Sequence, residues 1–273
     1  MQFLRSIYII WLRDMLRYWR NRVRLISSIA MPLLWLVIFG SGMKGSLNFA
    51  GPEMAASNFD YLTFLFPGVI GMTVLFTSVF SAISIVTDRE FGFLKEILVA
   101  PISRTSIALG KILSGSTTAV IQGLIIVAIA PLVGIKLSFL LVLALIPAIF
   151  LVAFALSSLG LLIASRIKST EGFPMVINFI MMPMFFLSGA MFPLVNLPTW
   201  MSFVSKINPA SYAIDMFRQI AFSFMSVPTM VSDFFRIKLF GQPVTLFGDI
   251  AIVVGFGLVM VILSTIAFKK SEN

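Results

Sequence analysis

Residues 139–164 read FLLVLALIPAIFLVAFALSSLGLLIA and contain no charged side chain. This run is longer than the roughly 20 apolar residues that an α-helix needs to cross the hydrocarbon core of a bilayer. Hydrophobic residues make up 59% of the 273 residues and charged residues only 11%, at a mean hydropathy of +1.04. Because a soluble core does not need this much apolar surface, the sequence predicts a membrane protein with no separate soluble domain.

Five further apolar runs lie on either side of this segment. Together they predict an all-α, polytopic membrane protein in which residues 1–273 form one transmembrane domain with six spans. Residues 191–248 are too apolar for a plain aqueous loop, so we expect short helices there, one opened by Pro198 and one capped by Asn208-Pro209 and ending near Phe222. The predicted spans are residues 25–42, 61–86, 107–129, 139–164, 174–190 and 249–268.

The N-terminal segment 1–24 has the spacing of an amphipathic helix. At 100° per residue its arginines share one face, aromatic and aliphatic side chains cover the other, and Asp14 lies on the edge of the apolar face. We expect this helix to lie in the membrane interface, with the arginines toward lipid headgroups. The interface arginines are Arg13, Arg17, Arg20 and Arg24.

The distribution of basic residues predicts the topology. Alternate sides of the predicted spans carry 14 and 6 Lys and Arg residues, and the richer side should be cytoplasmic. Both termini belong to that side. The same distribution accounts for the net charge of +9 through attraction to anionic lipid, so nucleic-acid binding is not expected.

The chain contains no Cys and no His. It therefore lacks the usual nucleophiles, imidazole bases and zinc ligands, and it has no G-x-x-x-x-G-K-[ST] sequence to hold a nucleotide phosphate. We expect no catalytic residues, no metal and no bound cofactor. An intramembrane protease is disfavoured for the same reason.

One charge-dense segment, TDREFGFLKEILVAPISR at 87–104, interrupts the apolar runs. Thr87 and Glu90 have the spacing of a capping box and predict that a new helix starts there. Pro101 should end it, and Ser103 should cap the third span. The pattern predicts a short amphipathic helix at 88–100 on the cytoplasmic side. This helix is either a connection that lies in the membrane interface or a docking surface for a soluble partner.

A second segment, LSGAMFPLVNLPTWMSFVSKINPASYAIDMFRQ at 187–219, predicts a broken helix followed by two short capped helices at the outer face. Asp215 and Arg218 are three residues apart and predict an ion pair. Irregular backbone at membrane depth persists only where protein or a water-filled cavity surrounds it. The segment therefore fits either a cap that seals the bundle or an exit gate.

Both segments resemble the integral membrane subunit of bacterial and archaeal ABC exporters of the type 2 permease family, which includes drug-resistance, Nod-factor and polysaccharide exporters. The first resembles the family's D-R-E-x-G-x-L pattern followed by P-[IV]-S-R, and Gly110-Lys111 fits its continuation. The second resembles L-S-G-x-x-F-P followed by N-P-x-x-Y-x-x-D-x-x-R. The chain departs from the family at Phe93 and Lys95, where a hydroxyl and an acidic residue are common.

The resemblance implies a connecting helix at 1–24, a coupling helix at 88–100 that docks on a separate ATP-hydrolysing subunit, and outer re-entrant helices within 191–248. The implied coupling residues are Asp88, Arg89, Glu90, Phe91, Gly92, Leu94, Lys95, Glu96 and Pro101. The implied outer-gate residues are Gly189, Phe192, Pro193, Pro198, Asn208, Pro209, Tyr212, Asp215 and Arg218.

The resemblance also implies a dimer of permeases, identical or different, with two ATPase subunits that bind the ATP and Mg²⁺, in the cell membrane of a bacterium or archaeon. The substrate would be an amphipathic drug-like or lipid-like molecule. A lipid-linked polysaccharide or oligosaccharide is the alternative. A channel or secondary carrier that works without ATP is a further alternative, disfavoured by the lack of ionisable residues in mid-span.

Overall fold

The computed structural model describes residues 2–42, 60–99, 101–195, 197–225, 227–239 and 241–271, and the described chain is mostly helical. A short 3₁₀ turn at Ala130–Val133 follows the sixth helix. The helices are α1 (Gln2–Arg20), α2 (Arg22–Gly42), α3 (Tyr61–Phe80), α4 (Ile83–Glu90), α5 (Phe93–Val99), α6 (Arg104–Ile129), α7 (Phe139–Ala164), α8 (Gly172–Phe186), α9 (Thr199–Ile207), α10 (Pro209–Phe224), α11 (Thr229–Phe235) and α12 (Leu246–Ser271).

Four helical stretches are long and apolar enough to cross a membrane: Tyr61–Glu90, Arg104–Val133, Phe139–Ala164 and Leu246–Lys270. They correspond to four of the six predicted spans. The other two predictions fall on α2 and α8, whose apolar parts are shorter, at Ala30–Phe39 and Gly172–Phe186. The six-span topology therefore stays a prediction.

Helix α3 forms the centre of the bundle. Fifteen of its 20 residues are buried, as expected for a helix that is apolar on all sides. It packs against α6, α7, α8 and α10. The approach of α7 is close, since a side chain on Gly160 would come within 2.7 Å of the Val79 carbonyl oxygen, and small residues permit such contacts between membrane helices.

Two predicted helix starts are confirmed. The Ser103 hydroxyl accepts a hydrogen bond from the Ser106 N–H at the start of α6. The Asn208 side chain accepts one from the Ala210 N–H at the start of α10, with Pro209 at the first helical position. The side chains thus satisfy backbone donors that a helix leaves unpaired at its N-terminus.

The all-α prediction needs one correction, because α11 and α12 are joined by a β-hairpin. β1 (Lys238–Leu239) pairs antiparallel with β2 (Gln242–Pro243). Strands of two residues are too short to produce a recognisable alternation in the sequence. No sequence pattern indicated α11 either, within the predicted short-helix region at 191–248.

Candidate functional site

The predicted helix start at Thr87 is wrong. Helix α4 runs through Thr87 to Glu90, and the Thr87 hydroxyl donates to the Ile83 carbonyl one turn earlier. The helix breaks instead at Phe91 and Gly92, where Gly92 has φ +82°, a conformation that L side chains avoid. The short helix predicted at 88–100 is therefore the shorter α5, Phe93–Val99; residue 100 lies outside the described residues.

Asp88, at the end of α4, is buried among three cations. Its Oδ2 accepts from Arg13 Nη2 at 2.7 Å and from Lys111 Nζ at 2.8 Å, and its Oδ1 accepts from Arg17 Nη1 at 3.0 Å. Asp88 therefore faces the interior of the protein rather than a docking partner. It joins α4 to α1 and α6.

Lys111 lies at the centre of this cluster, with its side chain only 2% exposed. Its Nζ is 3.0 Å from Asp14 Oδ2 and 2.8 Å from Asp88 Oδ2, and it donates to Ser84 Oγ at 3.2 Å. An ammonium group has three hydrogens, and here each has an acceptor. We call Asp14, Asp88, Lys111, Arg13 and Arg17 the inner brace.

The inner brace corrects the expectation that the α1 arginines all point to lipid headgroups. Arg13 and Arg17 bind Asp88, although both stay partly exposed, while Arg20 is exposed. The Arg24 side chain lies outside the described residues. Burial alone would lower the pKa of Arg13, but the Asp14 and Asp88 carboxylates raise it above its ordinary value.

Arg89 and Glu90 bind the connection between α7 and α8. Arg89 donates to the carbonyls of Ala164 at 3.0 Å and Ile167 at 2.8 Å, where α7 ends. Glu90 accepts from the Thr170 N–H at 2.9 Å, just before α8 begins. A cation thus meets a helix C-terminus and an anion meets a helix N-terminus, as the helix dipoles favour.

Next to the inner brace, three apolar side chains in α5 or just before it are exposed. Phe91, Phe93 and Val99 are 67%, 55% and 86% exposed, and Glu96 and Pro101 are exposed beside them. Leu94, in contrast, is buried against Ile10 and other residues of a small apolar cluster. The Lys95 side chain lies outside the described residues. We call Phe91, Phe93 and Val99 the apolar tip.

At the end of the bundle away from the inner brace, Asn208 and α10 supply donors to the carbonyls left unpaired where α8 ends. Asn208 Nδ2 donates to the Met184 carbonyl at 2.6 Å, and Arg218 Nη2 donates to the Gly189 carbonyl at 2.7 Å. The Ser211 hydroxyl donates to the Leu187 carbonyl in between. This pairing shows how irregular backbone is tolerated beside the bundle.

The predicted Asp215–Arg218 ion pair does not form. The Arg218 guanidinium lies 4.4 Å from the centre of the Phe64 ring. Asp215 Oδ2 accepts instead from Gln219 Nε2 at 3.2 Å and from the Ile237 N–H at 3.4 Å. Gln219 also donates to Asp249 Oδ2 at 2.6 Å. The structure thus places Gln219 and Asp249, which the sequence analysis missed, beside Asp215 and Arg218. We call Asp215, Arg218, Gln219 and Asp249 the outer cluster.

The remaining predicted gate residues lie around this region without forming one site. Phe192 and Pro193 are half-buried, and Pro198 is exposed before α9. The buried Tyr212 donates its hydroxyl hydrogen to the Lys206 carbonyl. Nearby, Tyr61 donates to the Met191 carbonyl at 2.9 Å, which ties the irregular segment after α8 to α3.

The sequence analysis also assigned no partner to two members of the inner brace, Asp14 and Lys111. Asp14 was noted only on the edge of an apolar face, and Lys111 only as part of a motif continuation. A charge placed among apolar residues must find a partner when it is buried. That rule could have paired Asp14 on α1 with Lys111 on α6.

Residues 5–222, more than half of the chain, match the family described as ABC-2 type transporter. The chain belongs to the ABC-2 type transporter family. The matched region begins in α1 and ends in α10, so the inner brace and the outer carbonyl contacts both lie within it. The permease resemblance seen in the sequence is therefore confirmed.

Curated relatives carry related names. The transport permease ycf38 of Cyanophora paradoxa is 31% identical over 220 residues, covering 79% of this chain and 74% of that protein. YbhR of Escherichia coli, named as a multidrug ABC transporter permease, is 31% identical over 60% of this chain and 45% of its own length. Nodulation protein J of Rhizobium meliloti is 26% identical, covering 77% of this chain and 79% of that protein.

Proposed function

We propose that this permease is the membrane subunit of an ATP-driven exporter. It works as a dimer of permeases with two cytoplasmic ATPase subunits, in the cell membrane of a bacterium or archaeon, with both termini in the cytoplasm. The sequence offers no P-loop and no catalytic residues, so the energy must reach the chain through a protein contact. ATP and Mg²⁺ belong to the partner subunit in this proposal.

The apolar tip is the observation that carries the proposal. Phe91 and Phe93 are exposed at the start of α5 and Val99 is exposed at its end, with Glu96 and Pro101 exposed beside them. Aromatic residues are enriched in the cores of protein interfaces, and a tip that only touched water would gain nothing from them. The tip therefore fits a groove on a soluble partner.

The inner brace supports the transmission of movement from that contact. Asp88 is bonded to α1 through Arg13 and to α6 through Lys111, and it lies only three residues before Phe91. A force applied at the apolar tip would therefore move α1, α4 and α6 together. The outer end of α3 contacts the α10 region, so rocking of this body would reach the outer gate.

The substrate class follows the relatives and the lining of the bundle. One relative is named for multidrug transport and another for nodulation. We propose an amphipathic drug-like or lipid-like molecule, taken from the cytoplasm or the inner leaflet by alternating access. A lipid-linked polysaccharide or oligosaccharide is the second candidate, because nodulation protein J is similar over most of its length.

Co-purification tests the docking step. The chain is expressed with the ATPase subunit encoded beside it, extracted in mild detergent and passed over a sizing column. We expect one complex for the parent, and loss of that complex for the double variant Phe91→Ser with Phe93→Ser. The matched control is Phe247→Ser, an 82% exposed phenylalanine at the start of α12, which should keep the complex.

The ATP requirement is tested separately in vesicles. The complex should move a fluorescent amphiphile only when ATP is hydrolysed. A chain that elutes without the ATPase and still moves solute down a gradient would contradict the exporter proposal and favour a channel or carrier.

A further inference from the structure

Two cavities of opposite character lie next to each other, and the larger one opens at the surface of the bundle, where Met31, Met182 and Phe186 are exposed. The inner one, of about 210 Å³, is lined by the polar side chains of α1, α4 and α6 near the inner brace. The second, of about 410 Å³, is lined mainly by aromatic and methionine side chains of α2, α3 and α8, and its volume is typical of small-molecule sites. Among the described residues, none of those that line the second cavity is ionisable.

A chain of three hydrogen-bonded side chains separates the two cavities. Gln122 Nε2 donates to the Tyr18 hydroxyl oxygen at 3.0 Å, and the Thr77 hydroxyl donates to Gln122 Oε1. Tyr18 lines the polar cavity, whereas Thr77 and Gln122 line the apolar one. We call Tyr18, Gln122 and Thr77 the partition.

The partition is thin. Ser81 lines the polar cavity and Thr77 the apolar one, and these residues are one helical turn apart at the end of α3. The same spacing relates Thr118 to Gln122 on α6. One turn of helix rises about 5.4 Å, so a single molecule could occupy both cavities if the partition side chains turned aside.

The hydroxyl groups of the polar cavity define the chemistry of the group that fits there. Each of four hydroxyls donates its own hydrogen to a nearby helix carbonyl, and a hydroxyl that has donated keeps lone pairs to accept. The cavity therefore presents acceptors to a ligand that brings hydrogen-bond donors. The four hydroxyls belong to Ser81, Thr87, Ser114 and Thr118.

The nearby charges do not add an anion site. Asp14 and Arg17 line the same cavity, but Asp14 binds Lys111 and Arg17 binds Asp88. A polyol head group can donate to the four hydroxyl acceptors and can also accept from the remaining N–H groups of Arg17. A phosphate brings acceptors only and would leave the four hydroxyls without donors.

We propose that the two cavities are the head and tail subsites of one binding site for a single-chain amphiphile with a polyol head, with the partition as the movable divider between them. The apolar cavity takes the chain among Trp35, Met72 and Phe76, and the polar cavity takes the head. The inference deepens the proposed export function, on which its role in transport rests.

Photolabelling of the permease alone tests the proposal. The full chain is reconstituted in lipid nanodiscs and exposed to an alkyl glucoside whose chain carries a diazirine, and the labelled peptides are identified by mass spectrometry. We expect saturable labelling at residues 72–80 and 182–186. Unlabelled alkyl glucoside should reduce it at least tenfold, and an alkyl phosphate of equal chain length should not.

Two further arms separate the added amphiphile from bilayer lipid. Nanodiscs made with a diazirine phospholipid should label the outer faces of α7 and α12 rather than the apolar cavity. If the phospholipid labelled the apolar cavity and alkyl glucoside did not reduce that labelling, the proposal would be overturned. Equal competition by alkyl phosphate, or unsaturable labelling spread over exposed faces, would overturn it as well.

Variants locate the site. Met72→Trp should fill the apolar cavity and reduce glucoside labelling at least tenfold, while Val259→Trp, on the exposed face of α12, should not. Thr118→Val keeps the shape, removes one acceptor and should raise the concentration for half-saturation severalfold. Unchanged labelling in both cavity variants would contradict the proposal, whereas an export failure with intact labelling would contradict only the proposed function.

Discussion

The two ends of the permease bury charge in opposite ways. At the end that carries the inner brace, Lys111 Nζ lies 2.8 Å and 3.0 Å from two carboxylates, and among the described residues no buried side-chain atom of the inner brace lacks a hydrogen-bond partner. At the outer end, Asp215 Oδ1, Asp249 Oδ1 and Arg218 Nε have no hydrogen-bond partner among the described residues. The outer cluster is the more deeply buried of the two, since the Arg13 and Arg17 side chains of the inner brace are 39% and 54% exposed and Arg218 is 3% exposed. Burial alone therefore does not explain why the pairing is more complete in the inner brace.

The difference assigns the two ends different mechanical roles. A buried charge that is fully paired is costly to separate, so the inner brace should move as a rigid unit. A cluster with unpaired donors and acceptors loses less when it rearranges, because it already bears part of the desolvation cost. In the proposed mechanism, the outer cluster is therefore the end that changes its pairing.

The largest expected effect is at the centre of the inner brace. Lys111→Met removes the buried cation that two buried carboxylates share, although the partly exposed Arg13 still contacts both; breaking such a pairing costs at most about 3–5 kcal/mol. The free energy of unfolding is measured by denaturant titration in detergent micelles. Lys136→Met, at an exposed lysine between the 3₁₀ turn and α7, should change it by less than about 0.5 kcal/mol. If both variants changed the free energy of unfolding equally, the stabilising role of the inner brace would be contradicted.

The corresponding change at the outer end should cost less. Arg218→Met removes a cation that donates to one neutral carbonyl, that of Gly189, and an unsatisfied buried carbonyl costs about 1–3 kcal/mol. The same titration measures it, with Lys238→Met, at an exposed lysine on β1, as the control. If Arg218→Met lowered the free energy of unfolding as much as Lys111→Met does, the two ends would not differ in how strongly their charges are paired.

A substitution at Gly92 tests whether docking of the apolar tip needs the bend before α5. Gly92→Ala forces a side chain into a left-handed conformation at about 1–2 kcal/mol, although a Cβ there would meet nothing within 4 Å. Gly255→Ala, in an equally open helical position of α12, should instead gain up to about 1 kcal/mol. Co-purification with the ATPase should weaken only for Gly92→Ala, and an intact complex would show that the bend before α5 is not needed for docking.

The smallest effect is expected within the outer cluster. Asp249 and Asp215 share the Gln219 amide, so Asp249→Asn removes one of two like charges and should change the free energy of unfolding by about 0–1 kcal/mol in the stabilising direction. Asp233→Asn, at an exposed aspartate paired with Arg236, should lose at most about 1 kcal/mol. A loss above about 2 kcal/mol for Asp249→Asn would show that its charge is well paired.

The sequence predicted elements that depend on local pattern. The uncharged run of α7 and the caps at Ser103 and Asn208 appear where expected, because composition and capping are local properties. The break at Gly92 was misplaced, since Thr87 and Glu90 satisfy a capping pattern equally well inside a continuous helix. Local spacing does not say which of two structures packs better.

Contacts across the bundle could not be predicted in the same way. Asp215 and Arg218 are one turn apart and suggested a pair, yet Arg218 binds the Gly189 carbonyl and Asp215 binds Gln219. The choice depends on how α8 ends beside α10. The inner brace likewise joins residues 71 or more positions apart for Arg13, Arg17 and Asp88, a separation at which periodicity carries no information.

Hydrogen–deuterium exchange of the permease–ATPase complex in nanodiscs, with and without nucleotide trapped by vanadate, tests the contrast between the two ends most directly. The account predicts slow, unchanged exchange at residues 83–90, protection of 91–99 by the ATPase, and a change on trapping at 187–195. Faster exchange at 83–90 on trapping, with no change at 187–195, would contradict it.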